Sequence, residues 1–195
     1  MEEKKELPLK KQLFTIPNLM GYFRILLIPL FVWRYLTADG TGDYRTAALI
    51  VALSGLTDLL DGKIARRFHM VTKLGKALDP VADKLTQAAM VLCLASRYRL
   101  MLPLLALFAV KEGFMGIMGL VMLRRGRMLN GAMWFGKVCT AVLYVVMFVL
   151  FLFPAIPLFW VYILIGICAV FMLFSLGMYI PVFMKMHKEG RSKSL

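Results

Sequence analysis

Residues 58–84 read DLLDGKIARRFHMVTKLGKALDPVADK and contain four aspartates, Asp58, Asp61, Asp79 and Asp83. A carboxylate in or near hydrocarbon is costly unless it is neutralised, paired or bound to a metal. On a helix, residues three or four apart share a face. Asp58, Asp61 or Gly62, and Ala65 therefore form one stripe, and Gly75, Asp79 and Asp83 another. Bringing the stripes together gathers four negative charges in one cleft, which protonation or divalent cations must relieve. Carboxylates unaccompanied by His or Cys suit Mg2+ or Mn2+ rather than zinc or copper. Two such cations sharing four carboxylates fit phosphoryl chemistry on a diphosphate substrate. Gly62, Ala65 and Gly75 keep bulky groups off these faces, and Arg66 stands beside them, able to contact a phosphate. Plain helix packing also uses small residues. Ion pairing with Lys63, Arg66, Lys76 and Lys84 accounts for one intramembrane acid more readily than for four on converging stripes.

The elements that carry these residues follow from composition. Of 195 residues, 61% are hydrophobic, above the ~45–50% of soluble domains, so a membrane protein is expected. The formal net charge of +13 points to anionic lipid headgroups rather than nucleic acid, given so little polar chain. Spans of about 20 apolar residues are expected at 19–37, 44–67, 73–98, 101–123, 132–153 and 157–184, with turn or charge signals between them. The fold class is thus an all-α integral membrane protein of six transmembrane helices. A short amphipathic segment, 1–17, is expected at the interface before them, and a basic tail, 185–195, after them. No cleavable signal peptide is expected, because Arg24 interrupts the first apolar run and no convincing cleavage site follows. Cys93, Cys139 and Cys168 show neither metal spacing nor a disulfide framework.

Lys and Arg set the orientation. They crowd the N-terminus, the 66–76 connection, the 124–130 loop and the C-terminus, whereas few, Arg45, Arg97 and Arg99 among them, lie near the opposite loops. Both termini are expected in the cytoplasm, as an even number of spans requires. Asp58 and Asp61 then approach the cytoplasm on the second span, while Asp79 and Asp83 leave it on the third. At ~1.5 Å per residue all four fall within a few turns of one connection.

The pattern Asp58-x2-Asp61-Gly62-x2-Ala65-Arg66-x8-Gly75-x3-Asp79-x3-Asp83 resembles the signature of the CDP-alcohol phosphatidyltransferase family at each of its eight defined positions. The opening IPNLMGYFRILLIP, with Asn18, Arg24 and Pro29, and the six-span layout are similar to that family as well. The resemblance implies a donor such as CDP-diacylglycerol, a polar alcohol acceptor, release of CMP, and two divalent cations, Mg2+ or Mn2+. It implies that Asp58, Asp61, Asp79 and Asp83 hold the metals and that Asp83 also acts as general base. Asn18, Asp58, Gly62, Ala65, Arg66, Thr72 and Gly75 would contact the CDP-alcohol. The resemblance also implies a homodimer, and together with the Lys and Arg bias it suggests a bacterial cytoplasmic membrane with the active site on the cytoplasmic side.

Acceptor choice rests on fewer residues. Lys111 and Lys137, with Arg127 and Arg24, are the candidate acceptor contacts, and a basic residue facing the cleft suggests glycerol 3-phosphate. The Lys111-Glu112 pair and the Gly136-Lys137-x2-Thr140 stretch resemble the phosphatidylglycerophosphate synthases and cardiolipin synthases of the family, although an Arg-Glu pair is that branch's usual form. Phosphatidylglycerol and an inositol phosphate are the alternative acceptors. Snorkelling of Lys137, a salt bridge at Lys111 and simple orientation bias in the Arg124, Arg125 and Arg127 run are the structural readings of these residues. Gly113, Gly116 and Gly119 suggest close helix packing. A small ion transporter is the alternative of a different class, and it would spread acids through the membrane depth. A lipid-binding or scaffold protein with unused catalytic residues is a third reading.

Overall fold

The computed structural model describes residues 13–68, 70, 72–124 and 133–191, with Arg66, Lys73, Lys76, Ala77 and residues 187–191 described by their backbone alone. The described residues form six helices and no strand. These are α1 (Ile16–Leu36), α2 (Thr41–Arg67), α3 (Lys73–Ala95), α4 (Met101–Arg124), α5 (Trp134–Leu152) and α6 (Leu158–Arg191). Most of the expected amphipathic segment, the Arg125 and Arg127 loop and the end of the basic tail lie outside the described residues.

Four helices are long and apolar enough to cross a membrane: α1, α4, α5 and the Leu158–Met186 part of α6. Apolar side chains such as Leu26, Trp33, Leu49, Val110, Ile117 and Val170 face outward on the chain, as suits lipid contact. α2 and α3 have 27 and 23 residues. That length suffices for a ~30 Å hydrocarbon core at ~1.5 Å per residue. Their acids and neighbouring bases leave them less apolar than the other four. α1 and α2 start three residues before the expected apolar runs because polar residues and proline make good first turns. α1 opens with Pro17, whose missing N–H costs nothing there, and α2 carries Asp43 in its first turn. α6 continues past the expected end of its span to Arg191, so part of the expected tail is helical.

The chain forms two compact units, one of residues 1–93 with 151–155, the other of 94–150 with 156–195. Within the first, α1 packs along α2. Asp43 pairs with Arg34 and also accepts from the Asp39 amide at 3.0 Å, closing the α1–α2 turn. Away from that turn, α1 buries Pro17, Asn18, Gly21, Arg24, Leu27, Phe31 and Tyr35, a stripe at helical spacing. The Tyr35 ring lies 4.6 Å from Phe151 and 5.0 Å from Tyr44, centroid to centroid. Within the second unit α4 packs on α6, and Met122, Phe135, Tyr179 and Phe183 form a buried cluster. Among the described residues nothing packs closely on Gly113, Gly116 and Gly119: a Cβ at any of them would meet nothing within 4 Å.

Candidate functional site

The end of α2 and the start of α3 set the site's frame. The Phe68 amide donates to the Ile64 carbonyl and the Met70 amide to the Ala65 carbonyl, each at 2.9 Å. The second bond is the six-residue closure that commonly ends a helix. Thr72 then stands just before α3, and its Oγ1 accepts from the Gly75 amide at 2.9 Å, an N-terminal cap. Asn18 of α1 joins this cap, its Nδ2 3.1 Å and its Oδ1 3.2 Å from Thr72 Oγ1. A Cβ on Gly75 would lie 2.6 Å from Asn18 Oδ1 and 3.1 Å from Thr72 Oγ1, so the α1–α3 approach requires glycine there. Gly21 plays the reciprocal part, its absent Cβ leaving room for Leu78.

One turn further along these helices the acids meet a single cation. Arg24, on the buried stripe of α1, reaches all four of them. Its Nη1 pairs with Asp58 and lies 2.8 Å from Asp83 Oδ1, its Nη2 is 3.5 Å from Asp79 Oδ1, and its Nε is 3.6 Å from Asp61 Oδ2. The Arg24 and Asp61 side chains are only 3% and 4% exposed, whereas Asp58, Asp79 and Asp83 are 39%, 49% and 37% exposed. The site is therefore a cleft with Arg24 and Asp61 at its floor and three carboxylates at its mouth. Arg24 Nε and Nη2 and Asp61 Oδ2 are buried without a hydrogen-bond partner. Pro80, between Asp79 and Asp83, also removes one helical N–H donor from α3.

This donor set suits a hard divalent cation, for it is wholly carboxylate oxygen and includes a buried oxygen lacking a hydrogen bond. Among the described residues no three His, Cys, Asp or Glu side chains are grouped for metal ligation; the four carboxylates gather around the guanidinium instead.

Of the residues singled out in the sequence, Asn18, Arg24, Asp58, Asp61, Thr72, Gly75, Asp79 and Asp83 come together here. Gly62 and Ala65 lie on α2 beside the acids, half-buried. Arg66 belongs to the last turn of α2, its side chain outside the described set. Lys111 and Lys137 belong to the second unit. The Lys111 ammonium is buried and donates to Glu112 Oε1 at 2.6 Å, a salt bridge within the helix. Lys137 is exposed on α5.

The central position of Arg24 was not legible as such, but its signal existed. A lone arginine at helical spacing with Asn18 and Gly21, inside an apolar run, must find carboxylates. A second signal lies in polar residues of α2 and α3. Ser54 and Thr57 on α2, and Thr86 and Gln87 on α3, are buried three or four residues beyond the acids. They continue both stripes as a polar layer, with Thr57 and Thr86 donating to helix carbonyls and Gln87 Nε2 lacking a partner.

Several known proteins are similar to this chain. A cardiolipin synthase (CMP-forming) of Streptomyces coelicolor is 34% identical over 131 residues, which is 66% of this chain and 61% of that protein. A cardiolipin synthase (CMP-forming) / mitochondrial hydrolase fusion protein of Schizosaccharomyces pombe is 40% identical over 106 residues, 54% of this chain and 17% of that protein. A CDP-diacylglycerol--glycerol-3-phosphate 3-phosphatidyltransferase of Escherichia coli is 39% identical over 85 residues, 44% of this chain and 46% of that protein. The chain thus matches less than two thirds of the length of each of these relatives. The family model for CDP-alcohol phosphatidyltransferases matches residues 14–180, a stretch containing α1, α2, α3 and every aspartate of the cleft, and the chain belongs to that family.

Proposed function

We propose that this chain transfers a phosphatidyl group from CDP-diacylglycerol to an alcohol acceptor, releasing CMP, and that the acceptor is glycerol 3-phosphate. The observation that carries the reaction class is the cleft of four aspartates around Arg24, joined to the family membership. Asp58, Asp61, Asp79 and Asp83 would hold two divalent cations, Mg2+ or Mn2+. Such cations, when bound, would offset the charge of the diphosphate and of departing CMP. Asp83 stands at the mouth of the cleft and takes the proton from the acceptor hydroxyl as that oxygen attacks the β-phosphorus of the donor. The phosphoanhydride bond breaks, a phosphodiester forms, and CMP leaves with the bridging oxygen. Gly62, Ala65 and Gly75 keep the faces beside the acids open to the nucleotide, with Arg66 to contact phosphate. Asn18 and Thr72 fix the start of α3 against α1.

The same reading has six spans, with α2 and α3 crossing beside the four apolar helices, and a homodimer. The Lys and Arg bias supports a cleft on the cytoplasmic side, and the reading places the chain in a bacterial cytoplasmic membrane. There the acyl chains of the donor stay in the leaflet while its diphosphate reaches the acids.

A second acceptor, phosphatidylglycerol, is favoured by a specific observation. The similarity to the Streptomyces coelicolor cardiolipin synthase extends over more of this chain than that to the Escherichia coli enzyme. The engagement of Lys111 with Glu112 also weakens one argument for a phosphorylated acceptor. The test is CMP release by the purified full chain in detergent with CDP-diacylglycerol, Mg2+ or Mn2+, and each acceptor in turn. Glycerol 3-phosphate should yield phosphatidylglycerophosphate; cardiolipin formed from phosphatidylglycerol instead would establish the second reading. No CMP release with any alcohol acceptor would overturn the reaction class.

A further inference from the structure

We propose that Arg24 is the built-in counter-cation of the aspartate cleft and competes with divalent cations for it, so that cation binding requires the guanidinium to withdraw. This rests on the metal-binding reading above and adds a residue that the reading leaves unused. One side chain makes four ion pairs, to Asp58, Asp61, Asp79 and Asp83. A guanidinium fork matches one carboxylate bidentately, or two through separate edges, and not four at once. The mismatch is visible: Nε and Nη2 are buried without a hydrogen bond, as is Asp61 Oδ2 opposite Nε. Arg24 neutralises the acids without satisfying them.

Mg2+ requires carboxylate oxygens at about 2.0–2.1 Å. With the guanidinium between α2 and α3, the oxygens that would converge on an ion are turned toward nitrogen instead. The two cations therefore exclude one another. A buried arginine needs carboxylates as much as they need it, so withdrawal has an energetic cost, which lowers the apparent affinity for metal. Arg24 would act as a positioning residue that keeps the four acids together when no metal holds them and sets the cation concentration at which the site fills.

The experiment measures Mn2+ binding to the full chain in detergent micelles, by calorimetry or by the electron paramagnetic resonance of free Mn2+, with no substrate present. Arg24→Gln should bind Mn2+ about tenfold more tightly than the parent, within the usual span of site-to-site coupling. Lys84→Gln is the control for charge alone. It removes one positive charge beside Asp83, whose own partner Gln87 lies 3.4 Å from the ammonium, without clearing the space between the acids; its affinity should change much less. After chelation Arg24→Gln should melt below the parent, and saturating Mn2+ should close the difference. Should Arg24→Gln fail to survive purification, Arg24→Lys serves, since one ammonium cannot span four carboxylates and should also tighten binding. Unchanged or weaker binding in the Arg24 variants, or an equal gain in Lys84→Gln, overturns the competition while leaving the metal site standing. Absence of Mn2+ binding in every form, the parent included, overturns both.

Discussion

Gly75→Ala is the sharpest probe of how the site is held. The added methyl would sit 2.6 Å from Asn18 Oδ1 and 3.1 Å from Thr72 Oγ1. Reaching ordinary contact means moving Asn18 by roughly 0.9 Å. Neither neighbour can swing aside cheaply, because Asn18 is 2% exposed and Thr72 Oγ1 is fixed as the cap of α3. Overpacking of this kind costs about 1–3 kcal/mol. Losing a hydrogen bond between Asn18 and Thr72 adds about 1 kcal/mol, and the better helix propensity of alanine returns about 1 kcal/mol. The net loss, about 1–3 kcal/mol, corresponds to a melting temperature lower by roughly 2–12 °C for a chain of this size. Thermal unfolding in detergent reads this directly. In an Asn18→Ala background the methyl has room, so the second substitution should cost at least about 1 kcal/mol less than it does alone. If Gly75→Ala raises the melting temperature, or if the two changes are simply additive, the close α1–α3 approach is wrong. Gly75 would then have to be explained by the substrate alone.

Asp83→Asn should reduce CMP release by about 10²–10⁴-fold, the range for losing a general base, while CDP-alcohol binding persists; substantial turnover would remove Asp83 from that role. Gly136→Ala should destabilise the second unit by about 1–3 kcal/mol, because its Cβ would run into the Tyr179 hydroxyl and lie 3.1–3.2 Å from that ring's carbons. Tyr179→Phe should recover part of the loss in a melting experiment. Lys111→Met should cost up to about 3–5 kcal/mol by breaking its ion pair with Glu112, and Glu112→Gln should restore part of it. A Lys111 variant that keeps its stability but raises KM for glycerol 3-phosphate alone would argue for an acceptor contact instead.

The helices were legible because apolar runs of membrane length leave few alternatives, and their breaks carry Gly, Pro and clustered charge. Their ends were less so. Thr41–Asp43 and the run after Met184 are polar, and hydropathy cannot tell a polar helix turn from a loop. The two aspartate stripes were legible from spacing alone, since 58, 61 and 65, and 75, 79 and 83, can face one way only on a helix. What spacing did not reveal is the cation between them. Arg24 is 34 residues from Asp58 and 59 from Asp83, and only the packing of α1 on its neighbours brings it there. Thr72 and Gly75 were singled out for the nucleotide, yet their visible work is to cap α3 and admit Asn18. A local sequence pattern does not separate a residue that touches substrate from one that lets two helices touch. Gly113, Gly116 and Gly119 show the converse, a packing pattern with nothing packed on it among the described residues.

The charge balance of the cleft links these observations to chemistry. Four carboxylates face one guanidinium, a formal excess of three negative charges from the groups in direct contact. A diphosphate brought to that mouth would be repelled, since unit charges ~4 Å apart near a protein surface interact by about 4 kcal/mol. Arg24 cannot cancel this, because its nitrogens are already committed to the acids and it is buried beneath them. Exposed lysines nearby would be screened and mobile. The acids therefore make sense as a diphosphate site only together with added positive charge placed between them and the phosphates. Divalent ions would supply it in the least space once the guanidinium withdraws, on the side where three of the carboxylates are half-exposed. The unequal exposure of the four aspartates is thus part of the proposed mechanism: Asp61 anchors the floor, and Asp58, Asp79 and Asp83 present the surface where phosphate, cation and acceptor hydroxyl would meet.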